Sequence, residues 1–163
     1  MIYKSFYNSP VGLIEIGGTE NSITSLYFID EEFNPEAKSN PYIDKCVEQI
    51  DEYFNGERKI FKLDIKAEGT EFQKRVWNEL LNIPYGETRS YMEITKTLGD
   101  KKAIRAVANA NGQNKISIII PCHRVIGSDG SLTGYGGGLW RKKWLLEHEQ
   151  KFSNTEKQLA LNI

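Results

Sequence analysis

The apolar residues of this 163-residue chain change their spacing near Thr70. That change constrains the fold more than any other feature, because it demands a strand-rich part followed by a helix-rich one. Before it, Ile2 to Tyr7, Gly12 to Ile16 and Ile23 to Ile29 alternate or are rich in β-branched and aromatic residues. Turns at Asn8-Ser9-Pro10 and Gly17-Gly18 separate them, so the reading is a run of antiparallel strands. Asp30 to Asn40 is acidic and polar, with Pro35 inside and Pro41 just after, and is expected to be a loop. Ile43, Cys46, Val47, Ile50 and Phe54 then repeat at helical spacing until Asn55-Gly56 stops them. Ile60 to Ile65 reads as one more strand, and Ala67 to Thr70 as a boundary.

After the boundary, Thr70 can cap a helix over Glu71 to Asn82, with Phe72, Val76, Leu80 and Ile83 along one face. Pro84-Tyr85-Gly86 breaks it. Two short helices follow, Ser90 to Leu98 and Lys101 to Ala110, joined at Gly99. This pairing fits a helix-turn-helix, and equally an ordinary helical hairpin. The second is rich in alanine and carries Lys101, Lys102 and Arg105. Ile116 to Ile120 is an apolar run, read as a buried strand. Gly127 to Gly138 is glycine-rich, and Leu139 to Glu149 forms the last helix, with Trp140, Trp144, Leu145 and His148 expected inside. The polar tail from Gln150 is expected to fray. The fold class is therefore α+β, divided into residues 1–69, 70–150 and a tail, 151–163.

A net charge of −1 argues against a polyanion as partner, until its distribution is considered. Residues 1–69 hold 7 basic and 13 acidic side chains, a net of −6; residues 70–163 hold 14 and 9, a net of +5. A basic half beside an acidic one suits nucleic acid, or else a solvated face. No stretch reaches the roughly 20 apolar residues of a membrane helix, and the first nine residues hold no secretory core. The cytoplasm is the expected location. Two cysteines make no disulfide framework, so both are expected reduced. Cys46 lies on the apolar face of its helix and reads as a core thiol.

Cys122 is different, because it follows Pro121 directly and precedes His123. A cysteine reacts as thiolate, and a helix starting at Pro121 would favour that form through its amide dipoles. His123 and His148 are the chain's imidazoles, and Glu149 adds a carboxylate able to orient one. Thiol, imidazole and carboxylate are the parts of an activated nucleophile. Cys122 as a core thiol, or as a zinc ligand with the two histidines, are the alternatives, although the chain has few ligands for a closed zinc site. The glycine-rich stretch lacks the Lys-Ser/Thr ending of a phosphate loop, and could instead close over a ligand.

The stretch Ile118-Ile119-Ile120-Pro121-Cys122-His123-Arg124-Val125 resembles the active-site signature of the O6-alkylguanine-DNA alkyltransferases, the methylated-DNA–protein-cysteine methyltransferases. The resemblance extends through Phe72, Pro84-Tyr85-Gly86, Ser90-Tyr91, Arg105-Ala106-Val107, Asn114, Gly134-Tyr135 and Trp144 to Glu149. It implies a ribonuclease H-like N-terminal sheet with a helix and a C-terminal winged helix-turn-helix-like domain. It also implies a monomer that grips double-stranded DNA containing O6-alkylguanine and flips the damaged nucleotide out. By the same resemblance, Cys122 matches the alkyl acceptor and His123 the base, which acts through a water. Glu149 matches the carboxylate orienting His123, Asn114 the residue holding the site together, and Tyr91 the proton donor to the departing guanine. Arg105 matches the arginine that fills the vacated space, flanked by Ala103 and Ala106 facing the groove, with Lys101, Lys102 and Arg124 as further DNA contacts. Val125, Tyr135, Gly136, Gly137 and Trp77 are expected around the base. The family needs no metal, nucleotide or organic cofactor, and each molecule reacts once.

The chain departs from the family pattern at Ala108-Asn109, Lys115 and Gly136. The last could widen the pocket. Three rivals stand beside this reading. One is a non-enzymatic alkyltransferase-like protein that recognises the lesion but lacks the cysteine. Another is a cysteine hydrolase, and the third a plain helix-turn-helix regulator.

Overall fold

The computed structural model describes residues 3–31 and 36–161, with side chains through residue 153. Ile2 and Pro35, which the sequence places in a strand and a loop, lie outside the described residues. The chain forms two compact units, residues 1–69 with 115–119, and residues 70–114 with 120–163.

The first unit is a three-stranded antiparallel sheet in the order β1 (Tyr3–Ser9), β2 (Gly12–Gly18), β3 (Ile23–Ile29). Ile14 opposes Phe28 and Ile16 opposes Leu26, so the two-residue period puts Ile14, Ile16 and Leu26 on one buried face, and a register shift beside Gly17 and Gly18, where Gly18 pairs with Ile23, brings Ile23 to it as well. Helix α1 (Pro41–Phe54) covers that face with Ile43, Cys46, Ile50 and Tyr53. Asn40 starts α1 by accepting from the Ile43 amide at 2.8 Å, and Asn55 caps its end.

Ile60 to Ile65 is not a strand. Its backbone is claimed by side chains of α1: Gln49 exchanges two hydrogen bonds with Lys62, and the Tyr42 hydroxyl accepts from Asp64. One bridge remains, Ile23 to Ile65, and Ile60 points to solvent. Ile116 to Ile120 also departs from the expectation. It is buried throughout apart from Ser117, yet pairs with β3 only at Leu26, whose amide donates to Lys115 and whose carbonyl accepts from Ser117. Ile118 takes φ +71°, and the Ile119 amide turns back to Ser117, so no extended strand can continue. Apolarity reported burial correctly and conformation incorrectly.

The second unit packs α2 (Glu71–Leu80), α3 (Tyr91–Thr97) and α4 (Ile104–Gly112) together. Capping boxes start the first two, Thr70 with Gln73 and Ser90 with Glu93. Gly99, at φ +91°, turns the chain from α3 into the 3₁₀ turn Lys101–Ala103 that leads into α4. A two-residue parallel ladder, β4 (Arg89–Ser90) with β5 (Val125–Ile126), joins the start of α3 to the segment after Cys122. Trp77 is expected at the base but is a core residue here: it is buried, and its indole donates to the Ala110 carbonyl at 2.9 Å, fixing α2 to α4.

Helix α5 (Leu139–Leu161) continues well past the expected end at Glu149. Residues 150–161 are polar, but they contain neither glycine nor proline, so nothing ends the helix. Trp140, expected inside, is 58% exposed. Trp144 and His148 stack at 4.8 Å, with the Phe152 ring edge-on to His148. No helix of the described residues is long and apolar enough to cross a membrane.

A buried cysteine, histidine and carboxylate

Pro121 ends the apolar passage and Cys122–Arg124 forms a single 3₁₀ turn. That turn places Cys122, His123 and Arg124 all inside. Burial pushes the Cys122 thiol up, against the Asn114 side chain, Lys142 and nearby amides, which pull it down. The turn is too short for its dipoles to win. Burial thus favours the thiol over the thiolate, and attack by this sulfur calls for a base.

His123, next in the chain, is a buried imidazole whose state can be read from its partners. Its Nε2 lies 2.6 Å from Glu149 Oε2. Burial holds the imidazole below its ordinary pKa, although Glu149 acts the other way. A carboxylate only accepts, so Nε2 carries the proton and Nδ1 keeps the lone pair. Nδ1 has no hydrogen-bond partner in the protein. Burial would raise the Glu149 carboxyl, but His123 and Arg124 outweigh it and hold it well below the usual range. Arg124 donates to Glu149 through Nε at 2.7 Å and Nη2 at 3.2 Å, and through Nη1 to the Ile83 carbonyl at 2.7 Å. The Gly86 amide also reaches Glu149, at 3.3 Å. Arg124 was expected at DNA. Here its guanidinium is spent on a buried carboxylate, and it is not a surface cation.

Asn114, just past α4, donates to the Ile120 carbonyl at 2.8 Å and lies against the Cys122 thiol. Tyr91, the first residue of α3, donates to the Thr133 carbonyl at 3.0 Å. Its ring lines an open pocket of about 440 Å³ with Ile104, Arg105, Ala108, Thr133 and Gly134. Lys101, Lys102, Arg105 and Ala106 are exposed, and Ala103 half-buried, where the chain enters α4. Val125 and Tyr135 are buried, Gly136 is exposed, and Gly137 accepts from Arg141 at 2.9 Å. Cys46 is a core thiol, which burial raises to about 12.

Two residues escape the sequence reading. Lys142 is fully buried, donating to the Val125 carbonyl at 2.6 Å and the Thr133 carbonyl at 2.8 Å. Its ammonium stands 5.7 Å over the Tyr91 ring. Burial lowers it to about 8, while Cys122 acts to raise it. Asn111 is also buried, and donates to the Cys122 carbonyl at 3.3 Å. A signal existed for both: Lys142 shares a helical stripe with Leu145 and Glu149, and Asn111 with Ile104 and Val107. Among the described residues, no group of three or more His, Cys, Asp or Glu side chains is placed to hold a metal.

Comparison with known proteins shows what the chain as a whole resembles. Residues 71–151 match the family model described as 6-O-methylguanine DNA methyltransferase, DNA binding domain, and residues 2–67 the ribonuclease-like domain of the same family. A methylated-DNA–protein-cysteine methyltransferase of Mycobacterium leprae is 47% identical over 92% of this chain and 93% of its own. One from Methanosarcina acetivorans is 44% identical, over 91% and 98%. The crystal structure of a Mycobacterium tuberculosis homologue in complex with DNA superposes with a TM-score of 0.84 at 44% identity, covering 92% of this chain and 94% of that one.

Proposed function

This chain belongs to the O6-methylguanine DNA methyltransferase family, and from that membership and the buried Cys122, His123 and Glu149 we infer direct repair of DNA by alkyl transfer from O6-alkylguanine to Cys122. The observation that carries the reading is the committed state of His123. Nε2 is bound to a carboxylate, and a free Nδ1 lone pair is left to take a proton.

Flipping comes first, because a sulfur in a protein interior cannot reach an alkyl carbon within a stacked duplex. Lys101 and Lys102 are exposed and suited to phosphate; Arg105 is exposed and lines the pocket, which suits it to fill the space the base leaves. Ala103 and Ala106 let α4 approach a narrow groove. The carbonyls of Cys122 and Val125, with backbone groups of Tyr135 to Gly137, read the base. The Cys122 carbonyl already accepts from the Asn111 side chain and the Val125 amide, and the Val125 carbonyl from Lys142, so a base amine would have to share or displace a donor at Cys122.

In the reaction, His123 Nδ1 takes the thiol proton through a water. The sulfur attacks the alkyl carbon, the S–C bond forms as the C–O6 bond breaks, and guanine leaves with the proton of Tyr91. A thioether and an intact base remain, and the thioether has no route back, so each molecule turns over once. Asn114 holds the thiol in line. The surrounding protein keeps the sulfur unhydrated, and therefore strongly nucleophilic once ionised. The cytoplasm suits two unpaired cysteines, one of them required as a thiol.

Incubation with DNA bearing O6-methylguanine is expected to add about 14 Da, one methyl in place of one hydrogen on the nucleophile, to the peptide containing Cys122. Cys122→Ala should bind the same DNA and gain nothing. Unmodified wild-type protein with unrepaired DNA, or product in molar excess over protein, would refute the reading.

A further inference from the structure

We propose that Asn111 is a specificity-determining residue, whose buried amide oxygen accepts a hydrogen bond from the 2-amino group of the flipped guanine beside the carbonyl of Cys122. The proposal rests on the alkyl-transfer reading, and assigns a role to a side chain which that reading leaves unused.

Asn111 projects from the last turn of α4 and is 1% exposed. Its Nδ2 donates to the Cys122 carbonyl at 3.3 Å. A carbonyl oxygen can only accept, so this contact fixes which end of the amide is nitrogen. The other end, Oδ1, is buried with no hydrogen-bond partner. A leucine of similar size would avoid the penalty of an unpaired acceptor, so the amide is poorly explained as packing.

Position points the same way. Ile104, Ala108 and Asn111 fall four and three residues apart, on one face of α4. Ile104 and Ala108 line the open pocket with Tyr91 and Arg105. Asn111 is the next residue on that face, where it meets the turn that carries Cys122.

The hydrogen bonds at Cys122 identify the ligand group. Its carbonyl accepts from the Val125 amide and from Asn111. The first bond closes the turn that carries the nucleophile. The second is long and comes from a side chain, so it is the one a ligand can displace. Whatever displaces it must be a donor, and Nδ2 therefore marks the place of an N–H group. Oδ1 belongs to the same amide. A group with two N–H bonds at that place can give one to the Cys122 carbonyl and the other to Oδ1. The number of unpaired buried groups does not rise, because Oδ1 gains a donor as Nδ2 gives up its acceptor. O6-alkylguanine carries such a group. Alkylation at O6 leaves N1 without a proton, and the 2-amino group becomes the N–H donor of that ring edge. O4-alkylthymine, whose N3 is also unprotonated, has no N–H to offer. Oδ1 thus favours one lesion over the other.

The test compares wild type, Asn111→Leu and Asn111→Asp on single-stranded DNA bearing O6-methylguanine or O6-methylhypoxanthine, the same base with hydrogen in place of the 2-amino group. Single strands remove base pairing, in which the amine also takes part. Two readouts are needed: single-turnover methyl transfer below saturation, and the rate at which iodoacetamide alkylates Cys122, which uses the sulfur but no base. Wild type is expected to prefer O6-methylguanine at least about tenfold. Asn111→Leu leaves one amine N–H without an acceptor. It should slow transfer from O6-methylguanine about tenfold, with transfer from O6-methylhypoxanthine and the iodoacetamide rate unchanged. A carboxyl group keeps an acceptor in either ionisation state, so Asn111→Asp should retain the preference.

An unaltered preference in Asn111→Leu would overturn the proposal. So would equal losses on both bases, or a matching fall in iodoacetamide reactivity, which would mark damage to the site. Wild type that treats the two bases alike overturns it as well, and that result requires no variant to fold. Loss of the preference in Asn111→Asp as complete as in Asn111→Leu would count against an acceptor at this position. Failure of the wild type to transfer methyl from O6-methylguanine would instead refute the reading on which the proposal rests.

Discussion

Glu149 is the residue on which the buried site depends, because it meets His123, Arg124 and the Gly86 amide at once. Its replacement by glutamine leaves the Arg124 guanidinium buried without a countercharge, an arrangement that costs about 3–5 kcal/mol. Urea unfolding at pH 7 should show that loss, and the double change Glu149→Gln with Arg124→Met should recover most of it. An unchanged midpoint for Glu149→Gln would contradict the assignment. Acid should act on the same residues. His123 is held below its ordinary pKa of about 6.5, so below that pH the unfolded chain takes up a proton that the folded chain refuses. Glu149 is also held low, and its contribution, complete above about pH 4.5, is lost as pH falls further. Stability should therefore fall from pH 7.5 to 5.5 and again below 4.5. A flat profile to pH 5 would exclude a buried neutral His123. At this scale the sequence exposed the chemistry of Cys122 and His123 because both sit in one unbroken motif. It marked Lys142 and Asn111 only by their places on helical stripes, since burial of a polar side chain follows from what packs on it, and it concealed the burial of Arg124, which depends on Glu149, 25 residues on.

Elements were legible wherever local chemistry decides them. Thr70 and Ser90 start helices that their side chains cap, and Gly99 turns the chain because φ +91° suits it. They were illegible where a distant partner decides. Ile60 to Ile65 alternates like a strand, but Gln49 and Tyr42 of α1 take its backbone hydrogen bonds. Ile116 to Ile120 is apolar enough for a strand but meets β3 at a single residue. Helix α5 runs past the polar residues that mark its expected end, because polarity without glycine or proline does not stop a helix. Gly86 shows how tightly α5 is used. It has φ +78°, and a β-carbon there would collide with the Ser153 side chain. Gly86→Ala should therefore lose about 1–3 kcal/mol through overpacking and backbone strain, and weaken the amide contact to Glu149. Adding Ser153→Gly should restore the steric part and leave the strain. If Gly86→Ala melts with the wild type, α5 does not press on this turn.

At the scale of the molecule, a net charge of −1 hides the property that matters for DNA, which is the separation of −6 from +5 along the chain. Binding to phosphates releases condensed counterions, and each phosphate neutralised steepens the dependence of log affinity on log salt by about 0.9. Exposed Lys101 and Lys102, at the entry to α4, should contribute two such contacts. The slope should then be at least about −2, and each lysine changed to glutamine should flatten it by roughly 1 with little effect on the transfer rate once DNA is saturating. Arg105→Ala should behave differently. An arginine that occupies the space of the flipped base affects the fraction of lesions extruded, so its loss should slow transfer from duplex DNA more than from single strands, at nearly constant salt slope. Fluorescence anisotropy from 50 to 300 mM salt, paired with single-turnover rates, separates the two roles. Lysine variants that keep the parent slope, or an Arg105→Ala variant slowed equally on duplex and single strand, would show that this face of α4 does not meet DNA as assigned.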